Sequence, residues 1–135
     1  MTTKFSTELA VRPDDIDMFQ HVHNSRYLDY IQAARYEQMT RCYKMTMEEF
    51  IVMGYGWVVK KATLNFKRAL IMSDVMTVST QVREIDGSDA IIDYEIVNKK
   101  NEKICCDGQM VYTMINLKTG RSEKIPPEIQ AKYLI

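Results

Sequence analysis

The chain is poor in every residue type that marks a specialised class. Its 135 residues include only five Gly and three Pro, which excludes a collagen-like or broadly disordered chain. Cysteine is scarce. Cys42, Cys105 and Cys106 are an odd set with two members adjacent, a poor disulfide framework, and no C-x-x-C spacing suggests zinc. They read as small buried thiols in a reducing compartment. Charge of one sign is also lacking, because 18 Lys and Arg balance 18 Asp and Glu. That balance argues against nucleic acid as the main partner, since phosphate binding wants a basic excess. No apolar run approaches the roughly 18 residues needed to span a bilayer. The opening segment, Met1 to Glu8, lacks the apolar stretch of a signal peptide. These absences lead us to expect a cytoplasmic protein with no nucleic-acid and no membrane partner.

What remains is ordinary globular composition, 46 % hydrophobic and 27 % charged. The length argues for one domain over residues 1–135. A domain of this size can bury a core without metal or disulfide staples.

Most of the chain alternates with a period of two, the mark of half-buried strands. Met76, Val78, Thr80 and Val82 share one face, and so do Ala90, Ile92, Tyr94 and Ile96. The segment 86–89 between them, Asp-Gly-Ser-Asp, reads as a hairpin turn. A third run spans Ile104 to Asn116, after a Lys-rich turn at 99–103, and Gly108 is expected to mark a bend or bulge in it. Val58, Ala62, Leu64 and Phe66 suggest another strand, and Phe5, Thr7, Leu9 and Val11 one more. From Ser25 to about Tyr43 the period is helical. Tyr27, Tyr30, Ile31, Ala34 and Cys42 fall in one arc, and Asn24 or Ser25 is placed to cap the first turn. Thr46 to Glu49 resembles a capping box for a shorter helix that Gly54 ends, and Pro126-Pro127 could open a last short one. The order is strand, long helix, short helix, then four strands. It predicts an α+β protein in which one helix and one antiparallel sheet cover each other.

Polar functionality is densest just before the long helix. Asp14, Asp15, Asp17, His21, His23 and Asn24 lie there, and the two His are the only ones in the chain. A helix N-terminus presents unpaired N–H groups with partial positive charge, able to polarise a carbonyl and hold an oxyanion. A nearby carboxylate can activate water or attack the carbonyl itself. Carboxylate plus helix start therefore suits acyl-transfer hydrolysis. Two other readings stay open at this point. The Asp side chains can simply stabilise the loop, with two partly exposed His. A metal could also sit among Asp15, Asp17, His21 and His23, although no Cys or third His supports it. Tyr27 and Tyr30 read as packing residues, and the ten Met as core filling or as an adaptable acyl pocket. Trp57, beside Gly54 and Gly56, reads as a core or interface residue, with the flank of a pocket as the alternative.

Asp15-Ile-Asp17-Met-Phe-Gln-His21-Val22-His23-Asn24-Ser-Arg-Tyr27, followed by Ala34-Arg35, resembles the signature of hotdog-fold acyl-CoA thioesterases, nearest to the 4-hydroxybenzoyl-CoA thioesterase-like branch. The family pattern is Asp-x-Asp-x-x-Gly-His-Val-Asn-Asn-x-x-Tyr with a later Ala-Arg. The resemblance runs over nearly the whole chain, including residues 62–67 and Ser73-Asp74 before Val75. It implies a hotdog fold, a long central helix wrapped by a curved antiparallel β-sheet. It further implies dimers that join two sheets, as homodimers or homotetramers, with active sites at the dimer interface. On this resemblance Asp17 is the catalytic base or nucleophile, and the backbone N–H groups near Asn24 receive the thioester oxygen. His21, Val22 and His23 border the substrate, while Lys67, Arg68 and Arg83 are candidates for the CoA phosphates. No metal and no cofactor is implied, because coenzyme A arrives as part of the acyl-CoA substrate.

Three positions depart from the pattern. Gln20 stands where the family has Gly, His23 replaces the first Asn, and Gln32 replaces a helix Glu. These departures leave an alternative, a non-catalytic hotdog module that binds acyl-CoA or an acyl-carrier protein. A hotdog dehydratase fits less well, because it needs an acidic partner on the helix where Gln32 stands.

Overall fold

The computed structural model describes residues 2–135. Strand β1 (Lys4–Ala10) leads through two short 3-10 turns (Pro13–Asp15 and Asn24–Arg26) into helix α1 (Tyr27–Arg41). Helix α2 (Met47–Val52) follows, then strands β2 (Tyr55–Phe66), β3 (Val75–Asp86), β4 (Asp89–Asn98) and β5 (Ile104–Asn116), and helix α3 (Pro127–Tyr133). The five strands form one antiparallel sheet in the order β1-β3-β4-β5-β2. The element order matches the reading from periodicity. Among the described residues no helix is long and apolar enough to cross a membrane.

Alternation places the core. Met76, Val78, Thr80 and Val82 on β3 and Ala90, Ile92, Tyr94 and Ile96 on β4 are all buried on the inner face. Tyr27, Tyr30, Ile31 and Ala34 of α1 are buried as well. Asp86 pairs with Asp89 across the Gly87-Ser88 turn, where Gly87 takes a φ of 61°. Register shifts at Val82/Glu84, Val59/Lys61 and Ile96/Val97 mark irregularities of the bulge type, which add twist and let a sheet curl around a helix.

Local expectations fail at four places. First, α1 has no side-chain cap. The chain enters it through the 3-10 turn at Asn24, and neither Asn24 nor Ser25 caps with its side chain. Second, the buried stripe of α1 includes Arg35 and Gln38, which hydrophobicity alone assigns to solvent. Gln38 is satisfied by Thr7 (3.0 Å) and by Thr80, so burial of its amide costs little. Third, β2 is an edge strand whose phase slips at the Val59/Lys61 irregularity. Val58, Ala62 and Phe66 are exposed, and Trp57 and Val59 before the shift and Leu64 after it are half-buried. Fourth, Gly108 is not at a bulge. It sits in register opposite Leu64 and Tyr94 in mid-sheet, where the Thr63 backbone approaches closely. Thr46 does cap α2, accepting the Glu49 N–H at 3.1 Å, and Gly54 ends that segment at a φ of 88°.

All three cysteines are free, Cys105 and Cys106 buried and Cys42 half-buried. Burial pushes all three thiols up from their ordinary value. They therefore stay protonated and unreactive at neutral pH.

Candidate active site

The loop between β1 and α1 separates two aspartates that composition and periodicity leave equivalent. Asp15 is buried, with 3 % of its side chain exposed, and both of its oxygens are engaged. Oδ2 accepts the Tyr30 hydroxyl at 2.6 Å and Arg12 Nε at 2.9 Å, while Oδ1 faces Arg26 Nε at 3.6 Å. The Arg12 guanidinium also lies over the Tyr30 ring, 5.2 Å from its centroid. Burial pushes the Asp15 carboxyl up, but the Tyr30 and Arg12 hydrogen bonds and the charges of Arg12 and Arg26 outweigh it. The net result lies below the usual range. Asp15 is thus a tether that ties the loop to α1.

A carboxyl depressed on folding contributes stability that is present above its unfolded pKa and is lost as pH falls through the folded one. Asp15→Ala leaves the buried Tyr30 hydroxyl without its acceptor, and we expect a cost of about 2 kcal/mol near neutral pH. The penalty should shrink near pH 3, roughly one unit below an ordinary carboxylate. Urea melts of both proteins at the two pH values check this; an equal penalty at both would show that the charge of Asp15 does not matter.

Asp17 is held differently. The chain turns back over residues 17–20, with Gln20 N–H donating to Asp17 O at 2.9 Å and Asp17 N–H to His21 O at 2.8 Å. Asp17 Oδ1 accepts the Phe19 N–H (2.8 Å) and the His21 N–H (3.1 Å). Oδ2 has no donor among the described residues. Partial burial pushes this carboxyl up. The two backbone hydrogen bonds, then His23 and His21, pull it further down, so it sits below the usual range and is ionised at neutral pH. Gln20 makes the turn with a φ of 64°. The left-handed conformation that suits Gly is therefore kept by a residue with a side chain, at a strain of about 1 kcal/mol. The departure at this position leaves the loop shape intact.

Beyond the turn, Val22 N–H bonds to Leu70 O at 2.8 Å and His23 N–H to Asp15 O at 2.9 Å. These bonds fix where α1 begins. The amides of Asn24 and Ser25 have no acceptor among the described residues, as expected of the first N–H groups of a helical segment. Asn24 and Ser25 line the same cleft as Asp17.

Asp17, His21, Val22, His23, Asn24, Lys67 and Arg68 all line one open cleft of about 620 Å³. Periodicity gave no warning of four further lining residues, Ser25, Tyr27, Phe66 and Ala69. Tyr27 and Phe66 meet edge to face at 5.4 Å. Burial pushes the Tyr27 hydroxyl up to about 12, so it keeps its proton. Lys67 Nζ is paired with Asp107 at 3.0 Å, whereas Arg68 has no ion-pair partner among the described residues. Arg83 does not line this cleft. It stands on β3 with its Nε 2.9 Å from Asp93 on the neighbouring strand. Among the described residues no three His, Cys, Asp or Glu side chains gather as a metal site would require. Gln32 does not reach the cleft lining either, and its Oε1 accepts the Tyr112 hydroxyl at 2.6 Å.

A long helix held in a curled antiparallel sheet of this order is the hotdog fold. Thermus thermophilus protein TT1821 shares it with a TM-score of 0.86 at 21 % identity, over 95 % of each chain. A family model of the thioesterase-like superfamily matches residues 11–133, and the chain belongs to that superfamily. This places the protein among the thioester hydrolases. It is 25 % identical to the long-chain acyl-CoA thioesterase FadM of Escherichia coli strain K12, over 93 % of this chain and 94 % of that one. The 1,4-dihydroxy-2-naphthoyl-CoA thioesterase Slr0204 of Synechocystis superposes with a TM-score of 0.87 at 17 % identity, covering 97 % of this chain and 96 % of its own.

Proposed function

We propose that this protein hydrolyses acyl-CoA thioesters to a carboxylic acid and CoA in the cleft of Asp17. One observation carries the reading. Asp17 is the one carboxylate of the loop that lines the cleft, its Oδ2 has no donor among the described residues, and Asn24 and Ser25, whose amides have no acceptor among the described residues, line the same cleft. The amides receive the thioester oxygen and stabilise the negative charge it gains when attacked. Asp17, ionised at neutral pH, draws a proton from the attacking water, or attacks the carbonyl itself to give an acyl anhydride that water then opens. In either route the C–S bond breaks and CoA leaves as the thiol. His21 and His23 border the acyl carbonyl, and Val22 holds the loop against Leu70. Arg68, free of any carboxylate, and Lys67 suit the CoA phosphates. Arg83 can serve that role only by giving up Asp93. No cofactor enters the reaction.

Strand β2 pairs with β5 along one edge and leaves its other edge open, with Val58 and Phe66 exposed. An open edge of this length invites pairing with a second chain, and we propose a homodimer or homotetramer joined there.

Thiol release from acetyl-, hexanoyl-, palmitoyl-, benzoyl- and phenylacetyl-CoA tests the activity. Turnover of at least one is expected. Acyl-CoA binding by calorimetry without thiol release from any would make the protein a binding module instead.

A further inference from the structure

A second cavity lies deeper in the fold and shares no lining residue with the Asp17 cleft. It measures about 150 Å³ and sits between α1, α2, α3 and the sheet. Its walls are mostly apolar and aromatic, with Met39, Trp57, Tyr112 and Tyr133 among them. Arg35 also lines it. The position is roughly 13 Å beyond Arg26, at about 1.5 Å per residue along α1.

Arg35 is the unusual group. It is 7 % exposed, yet none of the ion pairs among the described residues includes it. Its one hydrogen bond runs from Nη1 to Thr80 Oγ1 at 3.2 Å. The guanidinium otherwise rests among three phenol rings, 5.2 Å from the centroid of Tyr43, 5.9 Å from Tyr112 and 6.0 Å from Tyr133. A buried cation without a counter-charge is costly, and ring quadrupoles offset only part of that cost. Trp57 supplies an independent sign. Its buried indole Nε1–H has no hydrogen-bond partner. A guanidinium with one protein acceptor and an indole N–H with none among the described residues therefore belong to residues of one cavity wall.

We propose that this cavity binds a small aromatic carboxylate, with the carboxylate on the free N–H groups of Arg35 and the ring among the aromatic walls. The planar guanidinium fork matches two carboxylate oxygens. The volume suits a single ring, which excludes nucleotides and long chains. The proposal stands whether or not Asp17 catalyses hydrolysis.

Trp57 is the only tryptophan in the chain and so reports on the cavity directly. Titrating the intact protein with benzoate should change its fluorescence saturably, with a dissociation constant of about 1 mM or tighter. Benzyl alcohol, which has the ring without the charge, should bind at least tenfold more weakly. Arg35→Met should weaken benzoate at least tenfold. Because Arg35 also contacts Thr80 and three tyrosines, that variant could lose its fold. Ala90→Leu, which narrows the cavity without touching the guanidinium, then serves as the second arm and should abolish the benzoate response. Equal binding of benzoate and benzyl alcohol would overturn the proposal in favour of a purely apolar pocket. So would undiminished benzoate binding in the folded variants, or no saturable response in wild type up to roughly 10 mM.

Discussion

Asp17→Asn lowers kcat/KM for acyl-CoA hydrolysis by a factor of about a hundred to ten thousand and leaves the fold in place. The amide cannot take the proton of water and cannot form an anhydride. Its Oδ1 can still accept the Phe19 and His21 N–H groups, so the turn that carries it survives. Equal melting temperatures with unequal rates are therefore the expected signature. A variant with near-wild-type turnover would remove Asp17 from the mechanism. The pH profile adds a second check. Asp17 acts in its ionised form, and its carboxyl is held below the usual range. The acid limb of kcat/KM should therefore lie below about pH 4, with no loss between neutrality and that point. A limb above the ordinary carboxylate range would mean that another group titrates. Single turnover in heavy-oxygen water detects one of the routes: label in the Asp17 carboxylate requires an anhydride opened at the aspartyl carbon, which a general base never forms.

Gly108→Ala should destabilise the protein by about 3 kcal/mol, a fall of roughly 10 °C in Tm. A Cβ built at Gly108 would lie 1.8 Å from the Thr63 carbonyl oxygen and 3.0 Å from the Tyr94 hydroxyl. Both neighbours are fixed. Thr63 O is backbone of the adjoining strand and also accepts the Tyr94 hydroxyl at 2.8 Å. The clash can be relieved only by moving β2 away from β5, which breaks the ladder through Leu64. Gly87→Ala is the control. Gly87 has a positive φ of 61° but nothing within 4 Å of its Cβ position, so only conformational strain of about 1 kcal/mol is expected. Thermal melts of the two variants separate collision from strain. Equal effects would mean that β2 does not pass this close to β5.

The strands β3 and β4 could be read from the amino-acid order because their alternation continues without a break on the buried side. Their turn follows from Gly87, and the cap of α2 from Thr46. These are local patterns, in which each residue's neighbours along the chain are also its neighbours in space. The Asp17 loop was legible for another reason. Its residues crowd together in the chain, and their order resembles a family signature.

Contacts between distant segments were hidden. Arg35 and Gln38 look like surface residues of α1 until Thr7 and Thr80 are brought against them from β1 and β3. Val58, Ala62 and Phe66 look like core until the edge position of β2 leaves them exposed. Arg83 looked available for phosphate until β4 set Asp93 beside it. The second cavity is assembled from α1, α2, β2, β4, β5 and α3, and no one segment contains its outline.

Asp15 and Asp17 show the same division most sharply. Composition, charge balance and periodicity establish the α+β architecture, and the motif marks the loop where chemistry is concentrated. Composition and periodicity do not tell the two carboxylates apart, and only the resemblance singles out Asp17. Folding sets Tyr30 and Arg12 against one of them and leaves an oxygen of the other free in a cleft with the first amides of the helix. Burial and hydrogen bonding act through space, so which of the two is the tether and which keeps a free oxygen waits on where the chain returns to itself.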